Sequence, residues 1–254
     1  MKYIEELHRL KIFHKKEVVA LIKDENAAKE ILCRYKKQGF IFQVRRDLYV
    51  VTDLATKASL ATKFEIAGNI TPSSCLAYHA ALEYHGLAHQ VFYQLYVSSG
   101  ETFQNFDYDG INYVFCPSKS EAGVIRPVTD SFVRVTDLER TVIDCINRID
   151  LGGGLEELIQ CFAIITYVDE RKLLDYLHCF DKQFLYQKTG FMLGYFQKEM
   201  KLSDAFFEQC KSKIGKSTRY LTDTRESDTY FNEWKLYTPQ NILSFLEQGQ
   251  NEYV

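Results

Sequence analysis

The side chains able to do chemistry fall into a few groups. Glu233-Trp234-Lys235 has the Glu-x-Lys spacing with which a nuclease holds a metal ion and orients a water. His85 and His89 stand four residues apart, which puts two imidazoles on one helical face as metal ligands. Gly152-Gly153-Gly154 precedes a helical pattern, as a phosphate-cradling loop does. Ser73-Ser74 offers hydroxyls. Arg140, Asp144 and Arg148 repeat at i, i+4 and pair opposite charges along one helix. Arg45 and Arg46 are adjacent cations suited to phosphate.

Most of these have a simpler reading. A single Glu-x-Lys triplet arises easily by chance. Gly86 interrupts the two histidines at a helix end, and no third ligand accompanies them. No Lys-Ser/Thr follows the three glycines, so the Walker pattern is absent and a helix-to-helix turn is expected. Ser73 lacks a G-x-S-x-G setting and reads as a helix cap. The Arg140/Asp144/Arg148 ladder reads as a surface or half-buried salt bridge. No complete catalytic set is visible. The chain is read as a non-enzyme with no cofactor and no metal.

The elements that position these residues come from patterning and charge. The chain has 254 residues, 46% of them apolar and 26% charged. That excludes a disordered or collagen-like chain. A chain of this length buries roughly 70–75% of its unfolded surface and needs no disulfide to fold. The longest apolar stretch, Cys161 to Val168, is far short of the roughly 20 residues of a membrane span. Residues 1–23 carry charges throughout, unlike a signal peptide. A cytoplasmic protein with no membrane partner is expected. The seven cysteines are at least 16 residues apart and read as reduced, buried small hydrophobes. Residues 1–51 hold 12 Lys and Arg against 7 Asp and Glu, a charge of +5, while the rest holds 19 against 27, a charge of −8. A basic head on an acidic body suits a chain in which one domain meets phosphate.

Residues 1–51 read as a winged helix-turn-helix. Helices are expected over 2–10 and 15–23, a turn at Asp24-Glu25-Asn26, and a third helix from Asn26 to Gln38. Its apolar positions Ala28, Ile31, Leu32 and Tyr35 fall at i, i+3, i+4 and i+7. Gly39 ends it. A strand over Phe40–Val44, a turn at Arg45-Arg46-Asp47 and a return strand over Leu48–Val51 complete the wing. In such a domain the third helix enters the major groove. Its outward face carries Asn26, Lys29, Cys33, Arg34, Lys36 and Lys37, and Arg45 and Arg46 sit at the wing tip. Asn26, Lys29, Arg34, Lys36, Lys37, Arg45 and Arg46 are therefore the expected contacts to double-stranded DNA.

Residues 52–254 read as a mixed α/β body rich in helices, giving an α+β chain of two domains, 1–51 and 52–254. Helices are expected over 53–68 and from a Ser73 cap to Tyr84. Strands are expected near 91–98, 111–116 and 131–135, the first two joined by a hairpin turn at Asp107-Tyr108-Asp109-Gly110. Thr136-Asp137-Leu138-Glu139 fits a capping box. It opens a helix with Leu138, Val142, Cys145, Ile146 and Ile149 inward. Further helices are expected near 154–165, 169–180, 183–199, 203–213 and 239–247, and a short strand at 217–221. Thr136, Glu139, Arg140 and Asp144 are expected to form a structural cluster rather than a catalytic one.

Four stretches occur in order: Gly39 with R-R-D-L-Y (45–49), S-S-C-L-A-Y-H-A-A-L-E-Y-H-G-L (73–87), V-T-D-L-E-R-T-V-I-D-C (135–145) and E-W-K-L-Y-T-P (233–239). Together they resemble the AbiEi-type antitoxins of type IV toxin–antitoxin systems across nearly the whole chain. The stretch with Thr136, Glu139, Arg140 and Asp144 is the most specific match, and the resemblance implies that this cluster is either structural or critical to the antitoxin role. The resemblance implies a DNA-binding autorepressor acting on promoter inverted repeats, as a monomer or a DNA-induced dimer. It also implies an antitoxin domain that counteracts a nucleotidyltransferase-like toxin without a tight complex. Two other classes stand beside it. One is a metal-dependent nuclease using Glu233 and Lys235. The other is an orphan winged-helix regulator or protein-interaction module.

Overall fold

The computed structural model of the chain describes residues 3–118, 120–223, 228–242, 244 and 245. Its contacts group the chain into two compact units. Met1–Leu76, Tyr93–Glu121 and Ile125–Val135 form the first, and Ala77–Phe92, Ala122–Val124 and Thr136–Val254 form the second. The architecture is mixed α+β, with ten helices among the described residues. None of these helices is long and apolar enough to cross a membrane.

The first unit opens with α1 (Ile4–Leu10), β1 (Ile12–His14), α2 (Lys15–Ile22), α3 (Glu25–Lys37), β2 (Ile41–Arg45) and β3 (Leu48–Val51). The three strands form one antiparallel sheet in the order β1-β3-β2. β1 pairs Ile12 with Val50, Phe13 with Tyr49 and His14 with Leu48. Leu7, Phe13, Val18, Leu32, Tyr35 and Ile41 are buried in a shared core. Each such side chain contributes roughly 1.5–3 kcal/mol by leaving water. Residues 1–51 thus lie wholly in this unit, which also takes in α4 (Lys63–Gly68) and β4 (Cys75–Leu76).

Next come α5 (His79–Tyr84), β5 (Gln94–Ser99), β6 (Phe106–Tyr108), β7 (Ile111–Pro117), β8 (Val124–Ile125) and β9 (Val135–Thr136). The six strands from β4 to β9 form a sheet in the order β6-β7-β5-β4-β9-β8.

Several expected elements differ here. The helix expected over 53–68 is confined to α4. Ahead of it, the Asp53 carboxylate accepts the Ala55 and Thr56 N–H groups, and Thr52 bridges Ser59. This local side-chain capture replaces helical bonding. Ser73 does not cap a helix. Its hydroxyl accepts the Gly100 N–H and bonds the Ser99 hydroxyl, and the chain then enters the sheet as β4 between β5 and β9. The turn at Asp109-Gly110 joins β6 to β7, whereas β5 runs parallel to β7 from Gln94↔Asn112 to Ser99↔Pro117. The strand expected near 131–135 is only β9.

The second unit contains α5 and then α6 (Leu138–Asn147), α7 (Leu155–Ala163), α8 (Glu170–Phe180), α9 (Gln183–Gly194) and α10 (Asp204–Ser212). β10 (Arg219–Tyr220), β11 (Asp228–Phe231) and β12 (Leu236–Pro239) close it as a small sheet in the order β10-β12-β11. Val142, Cys145, Ile146 and Ile149 all enter the core of this unit, with Leu138 packed against it as a half-buried neighbour. Gly153 and Gly154, at φ 98° and 93°, make the sharp turn between α6 and α7. Of the helix expected over 239–247, residues 242, 244 and 245 are helical, and 243, 246 and 247 lie outside the described residues.

Candidate nucleic-acid interface and a buried ionic cluster

α3 starts where Asp24 accepts the Ala27 N–H at 2.9 Å, satisfying one of the helix's free donors. Arg34, Lys36 and Lys37 in its last turn complement the helix dipole. Gly39, at φ 68°, turns the chain into β2. Ala28, Leu32 and Tyr35 bury one face, so Asn26, Lys29, Cys33, Arg34, Lys36 and Lys37 are all exposed on the rest. Lys29 pairs with Glu25 at 3.1 Å, and Arg34 lies over the Tyr35 ring. Lys36 donates to Gln43 on β2 at 2.8 Å, which brings the hairpin beside the helix.

The two arginines of the hairpin part company. Arg46 is at the tip with 94% of its side chain exposed, where Asp47 (φ 62°) reverses the chain. The Asp47 carbonyl also accepts the Lys15 N–H, tying the tip to the start of α2. Arg45 does not reach outward with it. A bulge between Gln43 and Arg45 re-aims the side chain. Its guanidinium lies 5.5 Å from the Phe103 ring centre and 5.3 Å from that of Phe106, with Nη1 buried and unbonded. Burial lowers its pKa.

The sequence reading missed β1. Ile12-Phe13-His14 is a β-branched and aromatic triplet between two helices, and that was the available signal. β1 holds β3, and through it the hairpin, against the helical core.

The signature residues form a buried ionic cluster on α6. Its cap is Asp137, not Thr136. Asp137 accepts the Arg140 N–H at 2.9 Å, the Tyr176 hydroxyl at 2.8 Å and the Lys172 ammonium at 3.1 Å. Thr136 instead bonds the Thr141 hydroxyl at 2.7 Å. Glu139 does not fold back as a capping box requires. It accepts the Asp169 N–H at 2.9 Å, at the start of α8, and so links two helices. Arg140 donates its Nε to both oxygens of Asp144 at 2.9 Å and its Nη1 to the Ala122 carbonyl at 2.7 Å. It also packs over the Phe180 ring. Gly123 (φ 75°) has no room for a side chain, because a Cβ would come within 2.8 Å of the Arg140 Cβ. Burial pushes the Asp144 carboxyl up to about 6, against the opposing pull of Arg140. The expected ladder stops at this pair, since the Arg148 guanidinium turns to Asp150 at 2.6 Å.

The other motif residues disperse. His85 bonds the Thr136 carbonyl, while His89 is half exposed and 3.8 Å from Glu157. Glu233 pairs with Lys211 at 2.7 Å, but Lys235 donates to the Gly215 carbonyl at 2.9 Å. Among the described residues no group of three or more His, Cys, Asp or Glu is placed to hold a metal ion. All seven cysteines are free; five are buried, and Cys33 and Cys179 are exposed.

Sequence reasoning also missed a buried carboxylate in the second unit. Glu157 accepts His79 Nε2 and the N–H groups of His89 and Gln90, each at 3.0 Å. Burial raises its pKa, but the hydrogen bonds from Gln90 and His79 outweigh that and hold it below the ordinary value. No sequence spacing announces this arrangement, because the partners are far apart along the chain.

No protein-family model matches the chain, and no curated protein does. Among solved structures it is similar to the crystal structure of RV2827C protein from Mycobacterium tuberculosis, with a TM-score of 0.64 over 97% of this chain and 93% of that one. At 10% sequence identity the likeness is one of fold alone.

Proposed function

We propose that the chain is a DNA-binding transcriptional autorepressor, with α1-β1-α2-α3-β2-β3 acting as a winged helix-turn-helix. α3 enters the major groove with Asn26, Lys29, Arg34, Lys36 and Lys37, and Arg46 contacts the neighbouring backbone. The observation that carries this reading is the β1-β3-β2 sheet packed on three helices, with the basic face of α3 left exposed beside the wing tip. Arg45 is reassigned as a support for the wing. Two copies on an inverted repeat would stand roughly 34–36 Å, or a multiple of that, apart.

The rest of the chain acts, on this proposal, as the antitoxin of a type IV system against a nucleotidyltransferase-like toxin, without a tight complex. The sequence resemblance over 135–145 supports this, and the Arg140 cluster is the framework that keeps α6 in place. A gel shift with DNA from upstream of its own gene tests the first half. A retarded band that survives unrelated competitor DNA is expected, and its absence overturns the proposal. Co-expression with the adjacent gene product tests the second half. Growth restored by this chain is expected, and continued arrest rejects the antitoxin role while leaving the DNA-binding half intact.

A further inference from the structure

The chain that leaves β3 carries a lysine to the side of α3. Thr52 fastens it there. Its N–H bonds the Phe40 carbonyl at 3.0 Å, and its hydroxyl donates to the Gly39 carbonyl at 2.7 Å, both just past the end of α3. Asp53 then closes a tight turn. Its carboxylate accepts the Ala55 and Thr56 N–H groups at 2.9 and 2.7 Å and the Thr56 hydroxyl at 3.0 Å, and its own N–H bonds the Ala58 carbonyl at 2.9 Å. Lys57 stands in this turn at φ 59°, a left-handed conformation that glycine or asparagine adopts more readily than lysine.

Hydrogen-bond donors gather beside it. Lys57 lines an open recess of about 710 Å³ together with Lys36, Phe42 and Gln43. The Lys57 ammonium lies 5.8 Å from the centre of the Phe40 ring, and among the described residues it has no hydrogen bond and no ion pair. Lys36 has a neutral partner, the Gln43 carbonyl oxygen at 2.8 Å. That bond fixes which end of the Gln43 amide faces Lys36 and leaves its NH2 group to donate elsewhere. Among the described residues, Asp109 in the β6–β7 turn is the only carboxylate on the lining. Two ammonium groups and an amide NH2 thus lack an acceptor, and a phosphate diester supplies acceptor oxygens and negative charge together. The exposed ring of Phe42 offers a deoxyribose an apolar surface.

We infer that the turn over 53–59 belongs to the DNA surface, with Lys57 meeting a backbone phosphate next to the one met by Lys36 and Gln43 donating to the same stretch of backbone, an inference that rests on the DNA-binding reading proposed for α3. Duplex DNA is the occupant because the recess continues the exposed basic face of α3, to which Lys36 belongs. The contact lies outside the helix-turn-helix and its wing, and it adds one phosphate to those met by α3 and Arg46. Its role is to position the duplex, since a phosphate contact carries no base sequence.

The test is a set of salt titrations of the full chain on DNA from upstream of its own gene. Wild type is compared with Lys57→Asn, Lys57→Arg and a control, Lys198→Asn, which removes the same charge from an exposed position of the second unit. Asparagine tolerates the left-handed φ, so Lys57→Asn is expected to melt with wild type. Its slope of log affinity against log salt is expected to be lower by about 0.9, the value for one phosphate. Lys57→Arg keeps the charge and is expected to keep the wild-type slope, as is Lys198→Asn. An undiminished slope for Lys57→Asn, or an equal loss in Lys57→Arg or in Lys198→Asn, overturns the inference and leaves binding through α3 standing. A wild type without salt-dependent binding rejects the DNA-binding reading and this inference with it.

Discussion

Arg45 and Arg46 are identical and adjacent, yet one faces two phenylalanine rings and the other faces water. Their separation has a measurable consequence. Arg46→Ala is expected to weaken DNA binding evenly across sequences and to reduce the salt slope by about 0.9, the value for one phosphate left unneutralised. Arg45→Ala is expected to leave that slope alone and to destabilise the first unit by about 1–2 kcal/mol, because Phe103 and Phe106 no longer have a guanidinium stacked on them. Paired denaturant melts and salt titrations of the two variants separate these effects. Nothing in the local sequence distinguishes the two arginines, because the cause is a bulge and two rings about 60 residues further along the chain. Titration gives a second test at this scale. The Asp144 carboxyl rises from 3.8 to about 6 on folding, so the folded chain binds this proton more tightly than the unfolded chain does. Its contribution to stability therefore falls as pH rises from about 4 to about 6. Glu157 has the opposite sign. Its lowered pKa adds stability above the ordinary carboxylate value, and this disappears as pH falls through the folded value. Melts of wild type, Asp144→Asn and Glu157→Gln across pH 4–7 are expected to show a less negative slope for the first variant and a less positive one for the second.

At the scale of elements, α6 depends on a charge that it cannot release to water. Arg140 and Asp144 are 7% and 4% exposed. Removing Arg140 takes away the pull that holds the Asp144 carboxyl down, so the buried acid stays charged without a partner or takes up a proton, and Arg140→Ala is expected to cost up to about 3–5 kcal/mol, the most above neutral pH. Breaking a surface ladder would cost only about 0.3–0.5 kcal/mol, so a single urea melt tells the two apart. Helices with an apolar stripe and a clear stop were legible in the sequence. α3 lies within a residue of its expected bounds because Asp24 caps it and Gly39 ends it. α6, α7, α8 and α10 were equally plain. What was not legible depended on distant partners. The apolar run around Cys75-Leu76 suits a helix or a strand equally, and only the neighbouring β5 and β9 make it a strand. The Thr136-to-Glu139 spacing fits a capping box, but Glu139 finds a stronger role at the N-terminus of α8. β5 and β7 were expected to form a hairpin, yet they pair in parallel with β6 inserted between them along the chain.

For the whole molecule, the first unit decides where the chain may be cut. A boundary at 51/52 severs Lys11–Glu65 at 3.1 Å, the His14 bond to the Asn69 carbonyl at 2.9 Å and the stacking of Arg45 on Phe103 and Phe106. A fragment of residues 1–51 is therefore expected to melt well below the full chain, as a core of about 50 residues is marginal in any case. Circular dichroism of the fragment and the full chain makes the comparison, and equal melting temperatures would show that those interactions are dispensable. On the proposed reading, the charge division of +5 over residues 1–51 and −8 over the remainder bears on how the chain would meet DNA. The excess of cations lies in residues 1–51, so affinity for phosphate is expected to rest on α3 and the tip of the β2-β3 hairpin. The most direct test is a salt titration by fluorescence anisotropy, from about 50 to about 200 mM, of the full chain on DNA from upstream of its own gene. Wild type is compared with a Lys36→Ala, Lys37→Ala, Arg46→Ala triple variant, whose three residues are exposed and whose fold is checked by circular dichroism. A steep salt dependence is expected for wild type, and a slope lower by about 2.7 for the variant, roughly 0.9 for each phosphate that the three missing cations no longer neutralise. Equal affinity and equal slope for the two proteins would contradict DNA binding through α3 and the wing tip.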